Sequence, residues 1–209
     1  MDFDLRLPSP VNRPAIRIAL FALCLGGLGL AQRAVADAPS PAPPTTVVDL
    51  EGRPVDPFRQ SQGHIMALVF VRSDCPIANS YAPVLGELQQ RYTKRGVAFW
   101  LVYVDPDDGP EVIRKHLQDY HLPATAIRDP KLALAKRAHA QVTPECAVFD
   151  SAGELLYHGR IDDRWADLGV KRPEATRHDL ALALDAALAG RKPQPAATSA
   201  IGCYISNAP

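Results

Sequence analysis

Residues 66–83 read MALVFVRSDCPIANSYAP, and the order of residue types in this stretch decides the fold. Met66 to Val71 is an unbroken apolar run of strand length, the pattern of a strand buried on both faces. Arg72, Ser73 and Asp74 end it, and Cys75 and Pro76 follow. Proline suits the first position of a helix, where its missing N–H would have no partner in any case. Beyond it Ile77, Tyr81, Val84, Leu85, Leu88 and Tyr92 fall on one helical face, so the sequence predicts a helix from Pro76 to about Lys94, kinked at Pro83. A cysteine at such a junction meets the first free N–H groups of the helix, which favour the nucleophilic thiolate form.

Working outward, Val97 to Val104 reads as a second buried strand, and Pro110 opens a helix over Glu111 to Tyr120. Strand, helix, strand, helix requires parallel pairing, because the crossovers are too long for hairpins. A short strand around Thr125 to Ile127 and a small helix from Leu132 to Ala138 follow. Val142-Thr143-Pro144-Glu145 then leads into a strand segment running to Asp150, and Ser151-Ala152-Gly153 turns it antiparallel onto Leu155 to Gly159. Thr176 fits as the cap of a last helix, Arg177 to Ala189, whose Leu180, Leu182, Leu184 and Ala187 would cover the sheet. Near the start, Val47 to Leu50 reads as a short strand before a turn at Glu51 to Pro54.

The ends of the chain differ from this body. Arg13 and Arg17 precede the apolar stretch Ile18 to Leu30, and Ala34-Val35-Ala36 offers small residues for cleavage, so residues 1–36 read as an export signal. The stretch is shorter than the roughly 20 residues of a membrane span, and a membrane anchor facing the periplasm is the alternative if the segment stays uncleaved. Cys24 lies inside it as filler. Residues 37–46, rich in proline, form an extended linker, residues 47–191 the domain, and residues 192–209 a tail carrying Cys203. Export to a periplasmic or extracellular space permits disulfides, and the mature part holds Cys75, Cys146 and Cys203. Lys plus Arg and Asp plus Glu both number 23, leaving no excess positive charge for nucleic acid.

From about Thr46 to Arg191 the chain resembles the redoxin branch of the thioredoxin fold, related to alkyl hydroperoxide reductases and thiol-specific antioxidant proteins. The resemblance rests on the junction Phe70 to Pro76, the Val142 to Glu145 segment and the hairpin around Gly153. Asp74 to Pro83 and the ending Gly202-Cys203-Tyr204-Ile205 look like recurring features of an exported bacterial variant. It implies an α/β fold, a central mixed sheet flanked by helices on both faces. It also implies that Thr143-Pro144 is cis and faces Cys75, leaving the Thr143 backbone to pair with a bound chain. Arg160 and Arg164, with Asp162 and Asp163, would lie near the Cys75 end of the sheet, where they can bind an anion or polarise a thiolate, or simply form a solvated loop. Asn79 is a candidate for positioning substrate.

The chain departs from two patterns of that fold. Ala78 stands where a Cys-x-x-Cys motif has its second cysteine, and Arg72 where a peroxiredoxin has a hydroxyl. Cys146, on a central strand, reads as a core thiol. Cys203 sits between Ile201, Tyr204 and Ile205, an apolar patch expected to dock; if it docks near Cys75 it replaces the missing cysteine and resolves an oxidised Cys75. The resulting reading is an exported thiol–disulfide oxidoreductase, catalytic at Cys75 and Cys203, binding substrate at Thr143, Pro144, Arg160 and Asn79, and needing no cofactor or metal. Its partners would be protein thiols or disulfides. A thiol peroxidase acting on a small peroxide, and a non-catalytic module binding a partner or copper, remain open as alternatives. No histidine makes a metal-ligand spacing with a cysteine.

Overall fold

A computed structural model describes residues 47–122 and 125–206; the expected signal segment, Cys24 and the expected linker lie outside them. The elements in chain order are β1 (Val47–Val48), β2 (Pro54–Val55), α1 (Pro57–Gln60), β3 (Met66–Val71), α2 (Pro76–Asn79), α3 (Ala82–Thr93), β4 (Ala98–Tyr103), α4 (Pro110–Asp119) and β5 (Ala126–Arg128). Then come α5 (Ala133–Arg137), β6 (Val142–Thr143), β7 (Glu145–Phe149), β8 (Leu155–Gly159), β9 (Trp165–Asp167), β10 (Val170–Lys171), α6 (Asp179–Leu188) and β11 (Cys203–Tyr204). Seven strands make one mixed sheet in the order β2-β1-β5-β4-β3-β7-β8. β3, β4 and β5 are parallel, and β7 joins β3 antiparallel before turning into β8.

The central strand β3 explains the layering. Its six residues are all buried, and because successive side chains point to opposite faces they feed two cores. Ala67, Val69 and Val71 pack with Leu85 and Tyr92 of α3, Ile113 of α4, and Leu180 and Leu184 of α6. Met66, Leu68 and Phe70 pack on the other face with Leu134 and Ala135 of α5 and with Phe58 of α1. Each such aliphatic side chain contributes about 1.5–3 kcal/mol by leaving water. Helices therefore cover both faces of a mixed sheet, the thioredoxin-like arrangement.

Three local expectations are corrected. The helix expected from Pro76 to Lys94 is two helices, broken at Ser80–Tyr81, because Pro83 has no N–H to give to a preceding turn and instead opens α3. Thr176 does not cap the last helix, which begins at Asp179; its N–H and hydroxyl are both given to Asp163. Leu182 does not cover the sheet, standing 50% exposed on the outer face of α6. The sequence reading also missed the β9–β10 hairpin, a pair of two- and three-residue strands turning at Gly169, which has φ +76.

Residues 192–206 are part of the fold rather than an appendage. His158 of β8 donates its N–H to Ala196 and accepts from Thr198, which lays the chain along the edge strand. β11 then pairs antiparallel with β6, Cys203 opposite Thr143 and Tyr204 opposite Val142.

Candidate active site

Cys75 ends the loop that leaves β3 and forms the N-cap of α2, with extended backbone (φ −83, ψ 108). Its Sγ accepts the Ala78 N–H at 3.4 Å. Because α2 is a single turn, few peptide dipoles are aligned behind the sulfur, fewer than a helix running to Lys94 would supply. The thiol is also fully buried, at 0% exposure. The C-terminal strand lies directly against it.

The Thr143–Pro144 bond is cis, and the Thr143 carbonyl lies 3.0 Å from the Cys75 Sγ. β11 is paired with Thr143 and brings the Cys203 Sγ to 2.7 Å from that of Cys75. Three of the residues singled out in the sequence, Cys75, Thr143 and Cys203, thus meet at one point, with Pro144 adjoining. Burial, followed by the neighbouring Cys75 sulfur, pushes the Cys203 thiol up to about 12. Cys203 is held by strand pairing. The third thiol is elsewhere in the core: Cys146 is fully buried, its Sγ donates to the Gly159 carbonyl at 3.2 Å, and burial raises its pKa well above the ordinary thiol value.

Buried polar groups that the sequence reading did not find fix the Cys75 loop. The Asp108 carboxylate accepts the Ser73 N–H at 3.0 Å and the Ser73 hydroxyl as well. A directional chain runs beside it. The Tyr103 hydroxyl donates to His116 Nδ1 at 2.8 Å, and His116 Nε2 donates to Asn79 Oδ1 at 2.7 Å. The Asn79 amide in turn donates to the Ser73 carbonyl at 3.0 Å. Burial holds the His116 pKa below its ordinary value, which suits an imidazole that must accept at one nitrogen. Asn79, expected to touch substrate, has both ends of its amide engaged in this brace.

The Arg160 Nε donates to the buried Asp179 carboxylate at 2.7 Å, and the side chain stands 30% exposed. Arg164 pairs with Asp162 at 3.0 Å and lies over the Tyr81 ring, whose hydroxyl donates to the same carboxylate. Asp163 ties down the loop carrying β9 and β10, accepting the Thr176 hydroxyl and the backbone N–H groups of Thr176 and Arg177. The Thr176 hydroxyl above all, then the Arg177 N–H, hold its carboxyl well below the ordinary value of 3.8. A depressed carboxyl contributes stability that is complete above its unfolded value and lost as pH falls through the folded one. The stability gap between the protein and an Asp163→Asn variant, read as urea midpoints, is therefore expected to be full at about pH 6 and to shrink below about pH 4. Equal gaps at both ends would contradict that role for the carboxylate.

Among the described residues no group of three or more His, Cys, Asp and Glu side chains could hold a metal ion, and no helix is long and apolar enough to cross a membrane. Two solved structures share this architecture over most of their length. An uncharacterized conserved protein from Geobacillus kaustophilus is 26% identical with a TM-score of 0.66, covering 78% of this chain and 88% of that one. A hypothetical protein from Sinorhizobium meliloti is 23% identical with a TM-score of 0.64, covering 76% and 88%. A secreted Mycobacterium tuberculosis disulfide oxidoreductase matches less of the chain, 54%, at 22% identity and a TM-score of 0.46, with 80% of its own length covered. No curated protein matches. The Redoxin family matches residues 37–176, from before the first strand to beyond the β9–β10 hairpin, and the chain belongs to that family.

Proposed function

We propose that this redoxin is an exported thiol–disulfide oxidoreductase in which Cys75 attacks and Cys203 resolves. The observation that carries the reading is the approach of the two sulfurs to 2.7 Å across a strand pairing that also brings in Thr143. A lone oxidised thiol must be reduced or it advances to irreversible acids, and a second thiol in contact gives the reversible outcome. Cys203 takes the part that Ala78 leaves empty in the Cys-x-x-Cys pattern. Cys146 does not compete, because its sulfur is turned to the Gly159 carbonyl in the core. Membership of the Redoxin family supports thiol chemistry with protein thiols or disulfides as partners. The basic, apolar and small-residue order of residues 1–36 supports export through a cleaved signal, with residues 37–46 as linker and a periplasmic or secreted mature protein.

Peptide mapping of the oxidised monomer tests the pairing. The expected product is a single Cys75–Cys203 bond with Cys146 free. A Cys75–Cys146 bond, or a Cys203 that stays reduced while Cys75 is oxidised, would return Cys203 to a purely structural part.

A further inference from the structure

The strand that carries Cys203 is more than a mount for a sulfur. It is an extended polypeptide, seated on β6, with a cysteine against Cys75, and so displays what that edge accepts. Each position of residues 201–205 is read differently. Ile201 is half-buried against the core that surrounds Cys75. Gly202 passes so close to Thr143 that an added Cβ would overlap the Thr143 carbonyl, lying 2.7 Å from its carbon. Tyr204 points outward, 77% exposed, and is unconstrained. Ile205 is 5% exposed in the opposite core, and its N–H is given to the Gln141 carbonyl at 2.9 Å.

The edge has bonds of its own besides those to the tail. The buried Glu145 carboxylate accepts the N–H groups of Gln141 and Val142 at 2.8 and 3.3 Å, holding β6 from within. With the tail in place Cys75 is sealed, so the tail and any external disulfide exclude one another.

We propose that the tail is a resident stand-in for the partner. An extended polypeptide of the pattern aliphatic-Gly-Cys-x-aliphatic takes the place of residues 201–205 along β6, and the tail's return expels it. The inference rests on the reading of Cys75 as nucleophile and names its substrate class. In the forward step the Cys75 thiolate attacks the docked cysteine sulfur of a partner disulfide. That S–S bond breaks, a Cys75–partner bond forms, and the partner's second sulfur leaves as thiolate and is protonated by water. Then β11 re-forms and the Cys203 thiolate attacks the Cys75 sulfur. The mixed disulfide breaks, the Cys75–Cys203 bond forms, and the docked cysteine departs as a thiol after protonation. Two electrons pass from the Cys75 and Cys203 pair to the partner disulfide. Resolution and product release become one event, because the strand that delivers the second sulfur occupies the partner's place.

The test uses two heptapeptides, Ala-Ile-Gly-Cys-Tyr-Ile-Ser and Ala-Ile-Ala-Cys-Tyr-Ile-Ser, each disulfide-linked through its cysteine to the coloured thiol 5-thio-2-nitrobenzoate. They are mixed with the full-length reduced protein in its Cys203→Ser form, with and without Ile205→Ser to loosen the tail. Release of the coloured thiol and the mass of the Cys75 adduct are followed. The Gly peptide is expected to react at least about tenfold faster than the Ala peptide, and both faster once the tail is loosened. Ile201→Ser replaces Ile205→Ser if circular dichroism shows that the latter fails to fold. In the protein retaining Cys203, the peptide adduct is expected to vanish as the Cys75–Cys203 bond appears. Equal rates for the two peptides in the loosened protein would overturn the template. An adduct that persists equally with and without Cys203 would overturn expulsion by the tail. The symmetric disulfide of the same coloured thiol separates the two readings: if it too leaves Cys75 unmodified in the loosened protein, the nucleophile assignment itself has failed.

Discussion

Replacing Cys75 with serine is expected to lower turnover of a small disulfide by more than roughly three orders of magnitude, with the fold intact. A serine hydroxyl at neutral pH needs a general base to attack. The groups around the Cys75 Sγ are the Ala78 N–H, the Thr143 carbonyl and the Cys203 sulfur, none of which is such a base. The hydroxyl can still donate to Thr143 and accept from Ala78, so the local structure keeps its bonds. Cys203→Ser should behave differently. Its Cys75 still attacks, giving one equivalent of product in a burst, but the mixed disulfide then waits for an external thiol, and steady turnover falls by roughly two orders of magnitude. Rapid-mixing kinetics with both variants separates the two roles. A Cys75→Ser protein retaining more than about a tenth of the activity, or a Cys203→Ser protein without a burst, is incompatible with them.

How much of this was legible depends on how local the signal is. The apolar run of β3 and the proline after Cys75 mark a strand-to-helix junction without any knowledge of the rest. The meeting of Cys75 with Thr143–Pro144 came from resemblance, since 68 residues separate Cys75 from Thr143 and no periodicity links them. Burial of Cys75 was not legible because the strand against it is two residues long and follows a proline-rich segment, so nothing in its composition reads as a strand. The patch Ile201 to Ile205 did carry a signal, apolar side chains where a free tail has no use for them, and it pointed to docking but not to its register. The Asp108 and His116 braces had no comparable mark. A single aspartate in a turn and a single histidine on a helix gain meaning only once the fold sets them against Ser73 and Asn79. Asn79 and Arg160 were chosen for lying near the cysteine or its end of the sheet, and nearness does not reveal that a side chain is already engaged.

Gly159→Ala is expected to destabilise the protein by about 2–4 kcal/mol and to unseal Cys75, though Gly159 touches neither sulfur. Gly159 has φ +136, a conformation that costs a residue with a Cβ roughly 1–3 kcal/mol. The added carbon would also overlap the Thr198 carbonyl and hydroxyl oxygens and lie 2.9 Å from the carbonyl carbon, so the strand opposite must move. Thr198 is the root of the tail. Its hydroxyl accepts the Arg160 N–H at 3.1 Å and is paired with the Tyr157 hydroxyl at 2.7 Å, while its N–H is given to the His158 carbonyl at 3.1 Å. Each of these bonds is worth about 0.5–1.5 kcal/mol net. Thr198→Ala, which removes the hydroxyl and its two bonds but leaves the backbone pairing, is the control and should cost about 1–3 kcal/mol. Urea unfolding gives the stabilities, and the rate of Cys75 alkylation under native conditions gives the seal. Alkylation should rise more in Gly159→Ala than in a core variant of similar stability such as Ile113→Ala, because displacing the root frees the strand five residues on. If the two variants alkylate alike, the tail opens only with the whole domain, and β11 would then belong to the global fold rather than act as a separable cover over the thiol.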